Sequence, residues 1–105
     1  MSAGENLFLT VKTPLHVNVR TSAKYWEYLI AMKHPVMKGK KDIVEAVLQF
    51  PDEIRQSNTD KEVFLYYKQS DKLYCVVVRH VGKEGFLITA YPTDKVKEGD
   101  TIWTR

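Results

Sequence analysis

Apolar and polar residues alternate with period two over Leu7 to Lys12 and again over Leu15 to Arg20, with Thr13-Pro14 between them. Successive side chains of a strand point to opposite faces, so this pattern predicts a short hairpin or two edge strands. The period then changes. Trp26, Leu29, Ile30 and Lys33 fall at helical spacing behind Thr21-Ser22, a hydroxyl pair suited to an N-cap, so residues 22–33 read as an amphipathic helix. His34-Pro35 ends it, because the residue before a proline is pushed out of the α region. Ile43, Val44, Val47 and Leu48 form a second helical stripe, behind Asp42 and Glu45 in a capping-box pattern, and Pro51 closes this helix at 42–50. Asp52 to Gln56 reads as a brief helical or extended turn.

Period two returns over residues 62–68, 73–81 and 86–91. The run from Leu73 to Thr93 is the longest β-branched and aromatic stretch in the chain. Taking Ser70-Asp71 and Lys83-Glu84 as two-residue turns sets a register. Tyr67 then faces Tyr74, Thr89 lies opposite Val78, and Tyr91 lies opposite Val76. One face carries Tyr67, Tyr74, His80, Thr89 and Tyr91. The other carries Phe64, Tyr66, Cys75, Val77, Arg79 and Ala90 and is expected to pack on the helices. A slip of one residue would exchange the faces. Ile102-Trp103 is a last strand or a cap. The expected fold class is α+β: an N-terminal β-hairpin and two helices packed on a C-terminal antiparallel sheet of about four strands. Residues 1–105 read as one domain, with residues 1–6 disordered.

Composition narrows the classes of function. The net charge of +3 suits a polyanionic partner without requiring one. The single cysteine, Cys75, sits inside Cys75-Val76-Val77-Val78, so no internal disulfide forms and the thiol reads as buried and inert. No apolar run approaches the ~20 residues that span a bilayer, and no signal segment opens the chain. The expectation is a cytoplasmic protein without a membrane partner.

Gly82 and Gly85 bracket a turn instead of opening a helix, so no phosphate loop is present, and His16, His34 and His80 lack metal-ligand spacing. The groups left for chemistry are His34 at a helix exit, Arg55, Arg79, Thr89, Tyr91, Tyr67 and Lys38. Each also has an ordinary structural reading. His34 suits a helix C-terminus, Thr89 and Tyr91 suit a strand, and the basic loop Lys38 to Lys41 suits a solvated turn.

Six pieces in combination resemble the barnase–EndoU–colicin–RelE nuclease superfamily, especially its phage- and toxin-associated branch. They are His34-Pro35, Asp42-Ile43-Val44, Pro51 to Ser57, Phe64 to Tyr67, Val76 to Arg79, and Leu87 to Thr93 with its Thr-Ala-Tyr-Pro element. The resemblance runs from about Trp26 to Trp103. It implies helices followed by a four-stranded antiparallel sheet. It also implies a ribonuclease, toxin-like, that needs neither metal nor cofactor and cleaves by attack of the 2′-hydroxyl on the adjoining phosphate. RNA would be the substrate and an antitoxin protein a partner. Under it His34 acts as general base or acid and Arg55 contacts the phosphate, while Thr89 and Tyr91 contact phosphate or leaving group. Lys38, Tyr67 and Arg79 bind substrate, Tyr67 as a stacking platform. The alternative is a nucleic-acid- or antitoxin-binding protein of the same fold without catalysis.

Overall fold

The computed structural model describes residues 7–96 and 98–105. Its strands are β1 (Leu7–Lys12), β2 (Asn18–Ser22), β3 (Glu53–Gln56), β4 (Val63–Gln69), β5 (Leu73–Val81), β6 (Glu84–Thr93) and β7 (Asp100–Thr104). The helices are α1 (Ala23–Tyr28), continued by a π-helical turn Leu29–Lys33 and a 3-10 turn Pro35–Met37, and α2 (Lys41–Gln49). The fold is α+β. The sheet, however, has seven strands in the order β1-β2-β6-β5-β4-β3-β7 and is mixed, not four-stranded and antiparallel. The N-terminal hairpin belongs to it, because β2 lies parallel to the start of β6.

Local chemistry explains most of these elements. The Ser22 hydroxyl accepts the Tyr25 amide at 3.0 Å and starts α1. The chain leaves the helix through an amide of His34 donating to the Leu29 carbonyl at 2.9 Å, and His34 itself is thrown to φ −138° by the proline behind it. α2 starts at Lys41 with no side-chain cap, so Asp42 lies in its first turn, where the helix dipole favours a carboxylate, and makes no capping box. The second expected strand is also displaced. Residues 13–17 form the hairpin loop, with His16 at φ +63°, and the strand runs Asn18–Ser22. The segment 53–56 is a strand, and Ile102-Trp103 lies in β7 beside it.

The main core lies between the helices and one sheet face. Trp26, Leu29, Met37, Val44, Val47 and Leu48 pack on Val19, Ile54, Tyr66, Tyr74, Val76, Val78 and Ala90, all buried. At Gly85 a Cβ would come within 3.0 Å of the methyls of Val17 and Val19, so glycine there lets the hairpin dock on β6. A smaller cluster of Leu65, Tyr67 and Cys75 occupies the opposite, outer face, with Leu73, Val77, Tyr91 and Val96 against it. Val96 comes from the connection between β6 and β7, which therefore crosses that face. Among the described residues no helix is long and apolar enough to cross a membrane.

Candidate functional site

The register differs from the sequence expectation at two places, and both decide what shares a face. Between β4 and β5 the turn has three residues, Ser70-Asp71-Lys72, with Gln69 opposite Leu73. Tyr67 therefore lies opposite Cys75, and Tyr74 turns to the helix side. Between β5 and β6 the turn is Gly82-Lys83, and a bulge at Ile88 pairs Thr89 with Val77 and Tyr91 with Cys75, each one residue from the expected Val78 and Val76. Tyr67, Cys75 and Tyr91 thus form a row across three strands of the outer face. Thr89 lies in the next row.

His34 reaches this row from the side. β2 pairs with β6 only over Glu84 to Phe86, so the later part of β6 faces the helix exit instead of another strand. The bulge carbonyl of Ile88 accepts the Tyr25 phenol at 2.6 Å and the Lys33 ammonium at 3.4 Å. One turn on, the His34 ring lies 5.1 Å from the Tyr91 ring, tilted by 32°. Two of the sequence candidates, His34 and Tyr91, are therefore neighbours, and no hydrogen bond joins Thr89 to His34 among the described residues. Lys33 was not among the sequence candidates, although its place beside His34 was a signal.

Electrostatics sets what each group can do. Burial pushes the Tyr91 phenol well above its ordinary value, with the neighbouring Cys75 thiol adding to the shift. The group therefore stays protonated at neutral pH and can donate, not abstract. Burial likewise pushes the Cys75 thiol up to about 11, partly opposed by hydrogen bonds from Tyr91 and Tyr67, which leaves it inert as a nucleophile. The Thr89 hydroxyl is buried and has no hydrogen-bond partner among the described residues. An oxygen in that condition costs free energy unless something occupies its bonding capacity.

The remaining sequence candidates are not brought to His34. Arg55 lies on β3, three strand spacings or roughly 14 Å from β6. Its guanidinium is held by Glu53 at 2.7 Å and by the Gly99 carbonyl at 3.2 Å. That carbonyl is placed by a glycine at φ +81°, where any Cβ would collide with the Gln56 carbonyl. Tyr67 is only 3% exposed beneath the connection that carries Val96 and Glu98, so its ring offers no stacking platform. Arg79 lies on the same face as Thr89 and Tyr91, contrary to the sequence register, because the longer β4–β5 turn and the bulge move it there. It pairs with Asp60 at 3.1 Å and Glu62 at 3.0 Å. Lys38 is exposed just after the 3-10 turn that follows His34. A cleft of about 520 Å³ lies elsewhere, lined by Gln69, Lys72, Leu73, Pro92, Thr93 and Asp94, and holds none of the candidates.

No family model, curated protein or solved structure matches this chain.

Proposed function

We propose that the protein is a metal-independent, toxin-like endoribonuclease that cleaves RNA by transesterification at the His34–Tyr91 site. The observation that carries this reading is the 5.1 Å approach of the His34 ring to the Tyr91 ring, at a helix exit flanked by Lys33 and Lys38. His34 takes the proton from the attacking 2′-hydroxyl as general base. Tyr91, kept protonated by burial, donates to a phosphoryl oxygen or to the leaving 5′-oxygen. Lys33 and Lys38 offset the charge that builds on phosphorus. On this reading the substrate is RNA, the working compartment is the cytoplasm, and an antitoxin protein is the partner that silences it.

A second reading is favoured by one observation. Arg55 is held by Glu53 and the Gly99 carbonyl three strands away, which leaves the phosphate charge at His34 to lysines. The same surface would then bind RNA, or an antitoxin, without cutting. One experiment separates the two. Purified protein is incubated with RNA, and the product ends are analysed. A nuclease leaves 2′,3′-cyclic phosphates with chelator present, and His34→Ala lowers the rate by about 10²–10⁴. Tyr91→Phe removes only the hydroxyl and lowers it too. Cleavage at full rate with both substitutions overturns the assignment, and no cleavage by protein freed of partners leaves the binding reading.

A further inference from the structure

The outer face is covered at one end and open at the other. At the open end Arg20 on β2, Phe86 on β6 and Arg79 on β5 lie directly opposite one another in register. Directly opposed residues share a face, so the three side chains form a row. The Arg20 guanidinium stands 5.0 Å from the centre of the Phe86 ring, and Phe86 is 40% exposed. An aromatic ring left this open between two cations is the composition that single-stranded nucleic acid recognises, with bases on π-surfaces and phosphates on guanidinium groups.

Position adds to composition. The partners of Phe86 and Tyr91 on β5 are Arg79 and Cys75, four residues apart, which puts the two rows roughly 13 Å from each other along the sheet. That distance is on the order of two nucleotides of stretched single strand. Thr89, whose hydroxyl lacks a partner among the described residues, lies between them on the same face. The acidic partners of the arginines do not block the row. Arg20 pairs with Glu84 at 3.1 Å, and Arg79 with Asp60 and Glu62, all through side chains that are two-fifths or more exposed. Exposed pairs of this kind are weak, and a guanidinium can exchange them for a bidentate phosphate.

We infer that Arg20, Phe86 and Arg79 form a base-stacking subsite for single-stranded RNA, about two nucleotides from the phosphate held at His34. This rests on the ribonuclease reading. It takes over the stacking role for which Tyr67 is too buried, and it selects unpaired strands, because a paired base has no free face to offer. Since every base has a π-face, the subsite tolerates sequence.

The test uses the full chain and a fluorescently labelled deoxyoligonucleotide about eight nucleotides long, within the span that such grooves cover. It lacks the 2′-hydroxyl, so binding is read without cleavage. Phe86→Leu keeps an apolar side chain and removes the ring; binding should weaken about tenfold. Phe86→Tyr keeps the ring and should bind as wild type does. Arg20→Gln should weaken binding and reduce the log–log salt slope by about 0.7. The subsite is overturned if Phe86→Leu binds like wild type, if Phe86→Tyr loses as much as Phe86→Leu, or if wild-type protein does not bind at low salt. Cleavage scored through His34→Ala decides the ribonuclease reading separately. His34-dependent cleavage with binding that ignores Phe86 overturns the subsite alone. Phe86-dependent binding without cleavage keeps the subsite and removes the catalysis.

Discussion

Two histidines in this chain sit in contrasting surroundings. His34 leaves a helix beside a protonated phenol and two lysines. His80 lies on the helix side of the sheet, stacked on Phe64 with centroids 3.9 Å apart and bonded through its Nε2 to the Tyr66 phenol at 2.9 Å. Tyr66 in turn donates to Thr13 at 3.2 Å in the hairpin loop. Burial lowers His80 to about 4 and pushes Tyr66 up to about 12, so both are neutral at pH 7. The unfolded chain, with an ordinary imidazole near 6.5, binds more protons than the folded one between these values. Stability is therefore fully present above about pH 6.5 and falls as the pH drops toward 4, by on the order of 2–3 kcal/mol. Urea midpoints measured across that range should show the slope in wild type and a flatter profile in His80→Gln. Parallel profiles would remove His80 as the cause.

At the scale of elements, the exit from α1 sets both the site and its electrostatics. The π-helical turn and Pro35 swing His34 toward β6, and the loop that follows presents Lys38 and Lys40 before α2 begins at Lys41. Lys41 is partly engaged, its ammonium 4.9 Å from the Phe8 ring centre. If this loop holds an RNA backbone, each phosphate contact adds about −0.7 to the log–log salt slope on a single strand. Replacing Lys38, Lys40 and Lys41 by alanine should flatten the slope in a salt-titrated binding assay. An unchanged slope assigns the loop to solvent. The connection between β6 and β7 has the contrary effect: it seals Tyr67 and Cys75 into a small second core and leaves Phe86, further along the same face, exposed.

Over the whole molecule, the parallel contact of β2 with β6 joins the N-terminal hairpin to the C-terminal half of the sheet. It depends on Gly85, where Val17, Val19 and Val78 leave no room for a side chain. These neighbours are β-branched and stiff at χ1, so they yield little. Gly85→Ala should cost about 1–3 kcal/mol by overpacking, read as a lower urea midpoint. No loss of stability would mean that the hairpin docks more loosely than the register implies. Because β2 and β6 are so far apart in sequence, their pairing is also the slow kind, closing a long loop before contacts compensate.

The α+β class, the three long strands, the Ser22 cap and the proline exit at His34 were legible in the sequence, because each follows from local period, propensity or steric restriction. His34 and Tyr91 stood together among the candidates only through a resemblance between short motifs, and their spacing in the chain says nothing of their 5.1 Å ring distance. Tertiary structure alone decided the rest. One extra residue in the turn at Ser70-Asp71-Lys72 placed Tyr67 opposite Cys75, and the bulge at Ile88 set Thr89 and Tyr91 on the outer face beside Arg79. A strand's faces are exchanged by a slip of a single residue, and alternation by itself is the same in either register. The burial of Tyr67 depended on a connection crossing from β6 to an edge strand, and the exposure of Phe86 on where that crossing ends. Both are consequences of strand order, which arises from contacts between residues distant in the chain.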